Sequence, residues 1–283
     1  VTNPAGTDVT ITQLSTLKDG DTVTGVDAAG AVCIDVADNL QISESVTARN
    51  GQAYLDATGN ITVGDGNADQ VTSNTRVVME AGGNIVDNNG ANTAAAVALG
   101  GDVILNAGGS VGDAQFNAGA AATGSAFEID ADDLAARAGT GDVNIVDLDS
   151  NSDGLDVEAL SYTNKAGGTT NVTGVTAGAD VCLDVVNGNL DVNQVVTATN
   201  GSVALKTRTG DINLNGADVT AATAGQTVSV ESADDINDTV DGTGSLVATN
   251  VVLDAVNGIG DNATAGDDDV LAGKQVGLEY GTV

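Results

Sequence analysis

The chain has 283 residues, 40 of them acidic, 8 basic and none histidine, for a formal net charge of −32. So few cations cannot build the positive stripe that a phosphate backbone needs, which excludes nucleic acid as a partner. The missing histidine excludes histidine triads and histidine metal sites; the 2% of aromatic residues leave little for stacking, while 41% hydrophobic residues suffice for a core.

Taken in chain order, the predicted elements are short alternating strands. No apolar run, Ala94–Leu99 included, approaches the roughly 18 residues of a membrane span, so the chain reads as not membrane-spanning. The opening Val1-Thr2-Asn3-Pro4 has neither Met nor a leader pattern and reads as a mature product or a fragment. Ala31–Val36, Ala53–Ala57, Val77–Ala81, Val103–Ala107 and Phe127–Ala131 each alternate, as strands with one buried face do. Their inward sets would be Val32/Ile34/Val36, Ala53/Leu55/Ala57, Val77/Met79/Ala81, Val103/Leu105/Ala107 and Phe127/Ile129/Ala131. The central residues recur every 21 to 26 positions and return at Leu183, Leu205, Val230, Leu253 and Leu278, with Val157 filling the gap. Asn-Gly pairs at 50–51, 89–90, 187–188, 200–201, 215–216 and 257–258 offer left-handed corners.

A longer period encloses this one. Thr24-Gly25-Val26 through Val32-Cys33-Ile34-Asp35-Val36 returns as Thr173-Gly174-Val175 through Val181-Cys182-Leu183-Asp184-Val185, 149 residues on. We read residues 1–149 as one copy and 150–283 as a second, shorter copy continuous with it. Regular coils of about 25 residues with Gly and Asn corners point to an all-β parallel β-helix, a β-solenoid. At that spacing the whole chain would make about 11 or 12 coils, about 55 Å long.

Units such as Gly59-Asn60-Ile61-Thr62-Val63, Gly101-Asp102-Val103-Ile104-Leu105-Asn106-Ala107-Gly108-Gly109-Ser110-Val111 and Gly210-Asp211-Ile212-Asn213-Leu214 resemble the repeats of filamentous-haemagglutinin-type bacterial adhesins. Asn3-Pro4-Ala5-Gly6 is similar to that family's Asn-Pro-Asn-Gly signature, with Ala5 replacing Asn. The resemblance implies a right-handed β-helix, secretion, and a place in a cell-surface fibre.

Three features carry candidate chemistry. One residue after each central position stands an outward column, Asp35, Asp56, Glu80, Asn106, Asp130, Asp184, Lys206, Glu231, Asp254 and Glu279, which reads as a solvated face or a cation-binding edge. Asp147-Leu148-Asp149-Ser150-Asn151-Ser152-Asp153-Gly154 contains the alternating oxygens and glycine that open a calcium loop. Its twelfth position is Leu160 rather than Glu, so Glu158 or Asp156 would have to complete it, and calcium is the one cofactor the sequence suggests. Cys33, Tyr54, Val78 and Ile104 form an outward strip that either docks a neighbouring molecule, for self-association, or lies under a loop. Cys33 and Cys182 sit six coils apart, about 29 Å, far beyond the roughly 7 Å Cα limit of a disulfide.

These readings lead to a non-enzymatic structural segment of a secreted bacterial surface fibre or adhesin. Its partners would be copies of itself, adjacent repeats, or a receptor or glycan on a neighbouring cell. The alternative is a subunit that polymerises into an extracellular filament. A carbohydrate-active β-helix enzyme using Asp130, Asp132 and Asp133 ranks third.

Overall fold

The computed structural model describes residues 9–11, 15–16, 22–23, 25–64, 69–89, 96–112, 126–148, 152–238 and 244–260, with backbone alone before residue 25. Asn3-Pro4-Ala5-Gly6, Gly90, Asp149, Asn151, Leu278 and Glu279 lie outside these residues. The described chain is all-β and helix-free, a β-solenoid of about 8 turns whose stacked strands lie roughly 24 residues apart.

Three strands per coil build three columns in the first copy. Leu40–Ile42, Ile61–Val63 and Ile85–Asp87 stack in one. Val26–Ala28, Val46–Ala48, Val71–Ser73 and the start of Ala98–Ala107 stack in the second. The third holds the longer strands Val32–Val36, Ala53–Ala57, Arg76–Ala81 and the rest of Ala98–Ala107. Alternation sends every second side chain inward, so Ile34, Leu55, Met79 and Leu105 join one continuous core with Leu183, Leu205, Val230 and Leu253 of the second copy.

The columns change partners where the copies meet. Asp133–Ala138, the second half of the strand Phe127–Ala138, lies on the long column. The next layer there consists of two short strands: Leu155–Val157 pairs with Asp133 and Leu134, and Val175–Ala177 pairs with Ala136, Arg137 and Ala138. Conversely, Val143–Asp147 pairs with Val111 at its start and with Phe127, Glu128 and Ile129 at its end, covering both former short columns. Val181–Val185, Val203–Thr207, Thr227–Ser232 and Asn250–Ala255 continue from it as the new long column. The second copy therefore stacks its long side over the first copy's two short sides.

One corner stays in phase across this junction. Asn60 N donates to Asn39 Oδ1, Asn84 N to Asn60 Oδ1 and Ser110 N to Asn84 Oδ1, each at 2.8 Å. The ladder continues through Asp142 N to Ser110 Oγ at 3.2 Å, Asp180 N to Asp142 Oδ1 at 2.8 Å and Ser202 N to Asp180 Oδ1 at 2.7 Å. Short Asn, Ser and Asp side chains thus satisfy backbone donors that a corner leaves without strand partners.

Several expectations are corrected. Ile129 stacks on Ala98, not on Leu105, whose partner is Ala136. Asn106 is followed in the outward column by Arg137 instead of Asp130. Val157 stacks on Leu134 of the first copy's long column but is followed by Val192, not by Leu183, whose preceding partner is Ile145. The described residues make about 8 turns, and the inserted hairpin 159–173 uses chain without adding a turn. Of the Asn-Gly corners, Gly188 and Gly216 have positive φ. Gly201 is required for a different reason: a Cβ there would lie 2.3 Å from Asp180 Oδ1 and 2.5 Å from the Ala179 carbonyl carbon.

Candidate functional site

The inserted hairpin, Ala159–Thr163 paired antiparallel with Thr169–Thr173, forms a strap. Its strands pair only with each other, and it folds back over the first copy's long column. Leu160, Tyr162 and Val172 pack there on Tyr54, Val78, Ile104 and Ala135. The Tyr54 and Tyr162 ring centroids are 5.9 Å apart. Asn106 Nδ2 donates to the Tyr162 hydroxyl at 3.1 Å, and the Tyr54 hydroxyl donates to Glu80 Oε2 at 2.8 Å. Arg76 Nη1 donates to the Ser161 carbonyl at 2.5 Å. At the tip, Lys165 Nζ reaches Asp35 at 3.1 Å and Asp56 at 2.8 Å.

Of the two readings of the apolar strip, the covered one holds: the chain's own strap closes it, Tyr54 being 3% exposed and Val78 and Ile104 0%. Cys33, one rung beyond, is exposed. Cys182 is buried beside Ala126 and Val146, and its thiol is pushed up to about 12 by burial first and then by the charge of Asp184.

Lys165 is held up at about 12 by its hydrogen bonds to Asp56 and Asp35. The Asp56 carboxyl is nevertheless raised, because its burial outweighs the ammonium beside it. The two shifts point in opposite senses for the strength of the pair, and the burial of Asp56 explains why: a partly exposed ammonium returns only part of what desolvation removes.

The expected acidic column is two rows, Asp35–Asp56–Glu80–Asn106 on the first copy and Asp184–Lys206–Glu231–Asp254 on the second; the junction sets them on different sides, the first running into Arg137 and the second starting on Val146, and both are largely answered by cations. Besides Lys165 on Asp35 and Asp56, Lys206 Nζ lies 2.6 Å from Glu231 and Arg208 Nη2 2.8 Å from Asp184. A further acidic row went unrecognised in the sequence. Asp102, Asp133, Asp156 and Asp191 stack on successive layers, headed by Arg76 and followed by Asn213 and Asn237. Asn213 Nδ2 donates to Asp191 at 2.8 Å. Asp156, in the middle, is pushed up to about 6 by burial, then by Asp191, Asp133 and Glu158. A third pair is buried: Glu128, 2% exposed, is pushed up to about 8 by burial, then by its hydrogen bond to Asp87 and that group's charge. The signal for all of these was register, which single-strand alternation does not supply across a junction.

The residues of the calcium-loop reading fall in separate surroundings. Asp147 lies on the core side, stacked between Ile129 and Val185, and is 0% exposed. Asp153 is exposed in a corner where Ser152 and Gly154 both have positive φ. Glu158 lies past Leu155–Val157, with Oε1 accepting from Asn193 Nδ2 at 2.8 Å. Asp149 and Asn151 are outside the described residues. Elsewhere among the described residues, Asp211, Asp234 and Asp235 bring carboxylate oxygens within 4.8 Å of one another.

The shallow groove beside the strap, lined by Asp56, Glu80, Asn106 and Arg137, has a counterpart on the second copy lined by Lys206, Arg208, Glu231 and Asp254. The same corner carries different charges in the two copies. These features define a repeat-built β-solenoid with an internal strap. No family model, no curated protein and no solved structure matches the chain.

Proposed function

We propose that the chain is a non-enzymatic structural segment of a secreted bacterial surface fibre or adhesin of the filamentous-haemagglutinin type. Its work there is reach, rigidity and contact outside the cell, with calcium as a stabilising ion on its acidic face. The observation that carries this reading is the junction. The core and the Asn/Ser/Asp corner ladder run unbroken from one copy into the next, so the copies add as one rod. About 8 turns at about 4.8 Å each give about 38 Å of rod. A tandem of two such chains joined in frame should double the long dimension in small-angle scattering while the cross-section stays constant. Two beads on a flexible joint would contradict the rod. Labelling of intact cells that carry the parent gene tests the location, and labelling only after lysis would overturn the surface assignment.

A further inference from the structure

Asn-x-Ser/Thr, the acceptor pattern of N-linked sugars, occurs at Asn60, Asn171, Asn200, Asn237 and Asn262. Asn262 lies outside the described residues. Such a sequon works when two groups are free together, the carboxamide that takes the sugar and the hydroxyl two residues on. In three of the other four the fold has already used one of them. Asn60 Oδ1 accepts from Asn84 N at 2.8 Å as a rung of the corner ladder. Asn200 Nδ2 donates to the Gly178 carbonyl at 2.9 Å, and Ser202, 5% exposed, donates to Gln226 Oε1 at 2.9 Å. Asn237 Nδ2 donates to Asn213 Oδ1 at 3.0 Å.

Asn171 differs. It stands in the strap strand Thr169–Thr173, where alternation turns Val172 inward onto the first copy's apolar strip and leaves Asn171 and Thr173 outward and exposed. Two positions apart on one strand face, they sit about 6.8 Å from each other. The Asn171 carboxamide makes no hydrogen bond among the described residues. Its cross-strand neighbour Ser161 is exposed on the same face. The strap, residues 159–173, contains neither Asp nor Glu, in a chain that has 40 of them. Its one charge, Lys165, is taken up at the tip by Asp35 and Asp56. The two strands pair only with each other, so each keeps an outer edge that no free charge or proline protects from foreign strands. A bulky, hydrated group on this face supplies that protection.

We propose that Asn171 is an N-glycosylation site, with Thr173 as the hydroxyl read by the glycosyltransferase. The Asn171 Nδ2 forms a bond to the anomeric carbon of a phosphate-activated sugar. The bond from that carbon to the phosphate oxygen breaks, the phosphate leaves with the electron pair, and the amide gives up one proton. The donor is a nucleotide sugar, which adds single sugars, or a polyprenyl-pyrophosphate oligosaccharide, which adds a block. The sugar projects from the back of the strap, away from Tyr162 and Val172, so the contact with the first copy's long column is kept. The inference rests on the surface reading, which puts the strap's outer face among foreign molecules.

Mass spectrometry of the full chain, purified from cells that carry the parent gene, tests it. Trypsin releases Asn60 in peptide 50–76, Asn171 and Asn200 together in 166–206, and Asn237 in 209–274; fragmentation of 166–206 separates its two sites. Sugar is expected on Asn171 and not on Asn60, Asn200 or Asn237. A ladder of single sugars identifies the nucleotide-sugar donor, and one fixed block the lipid-linked donor. Asn171→Gln and Thr173→Val, both changes at outward exposed positions, should each abolish the addition. A bare Asn171, equal occupancy at Asn60, Asn200 or Asn237, or sugar retained in Thr173→Val overturns the proposal. Labelling of the same cells reads the location separately. A labelled surface with a bare Asn171 overturns this site and leaves the surface reading standing, whereas sugar on Asn171 of a chain labelled only after lysis does the reverse.

Discussion

Tyr162→Ala isolates what the strap does. Its ring is 3% exposed, faces Tyr54 at 5.9 Å and accepts from Asn106. Removing a buried aromatic side chain costs about 3–5 kcal/mol, and the lower end applies to a two-stranded cover with solvent behind it. The strap strands pair only with each other, so the loss should appear as local opening while the columns stay intact. About 3 kcal/mol, at tenfold per 1.4 kcal/mol, raises the open population roughly 150-fold. Lys165 at the strap tip makes trypsin the assay: under native conditions with fast reclosure, cleavage after Lys165 follows that population. Tyr162→Phe keeps the ring and loses only the hydrogen bond, worth about 1 kcal/mol, so it should accelerate cleavage roughly fivefold. Cleavage of Tyr162→Ala within about threefold of wild type refutes the reasoning. So does a fall in global melting with no change at Lys165, which would make the strap part of the cooperative core.

Glu128 is lifted from 4.5 to about 8 in the fold, so its stabilising contribution is full below about 4.5 and is lost as pH rises through about 8. The melting midpoint should fall from pH 5 to pH 9, and Glu128→Gln should flatten that slope; an unchanged slope would clear Glu128 of the effect. Gly201→Ala places a Cβ 2.3 Å from Asp180 Oδ1 and should cost about 3 kcal/mol in denaturant melts. Gly225→Ala meets nothing within 4 Å at φ +92° and should cost only about 1 kcal/mol. Millimolar calcium should raise the melting midpoint above that at matched ionic strength, and a flat response counts against the cation expectation.

The inward columns were legible because alternation and spacing agreed: Ile34, Leu55, Met79 and Leu105 sit where the pattern puts them. The reading failed at residues 127–138, where two alternating stretches lie in one strand. Phe127/Ile129/Ala131 is the more apolar and kept the spacing, but Leu134/Ala136/Ala138 forms the long-column rung. Weak apolarity hid the true register. The strap was harder still, since Leu160, Tyr162 and Val172 are scattered among Ser, Thr and Asn. Its trace lay on the opposite surface: Tyr54, Val78 and Ile104 are apolar at outward positions, and large apolar side chains in a contiguous row call for a cover. Asp102 and Asp133 are 31 residues apart, outside the regular coil, so their stacking could not be read before the junction was known.

The cations are distributed along the solenoid axis. Arg49 pairs with Asp27, Arg76 with Asp102, Lys206 with Glu231 and Arg208 with Asp184, each joining one coil to the next. Lys165 joins the strap to two more. Individually such exposed or partly exposed pairs contribute little to stability. Their placement matters more for register, since a one-residue slip in a parallel column would turn core residues outward. With 40 acidic residues against 8 basic ones, axial pairing leaves the flanks strongly negative. Two rods side by side would bring those flanks together and repel, which guards against lateral sheet growth. In a fibre of the proposed kind, the same charge pattern would oppose bundles and leave the axis as the direction of growth.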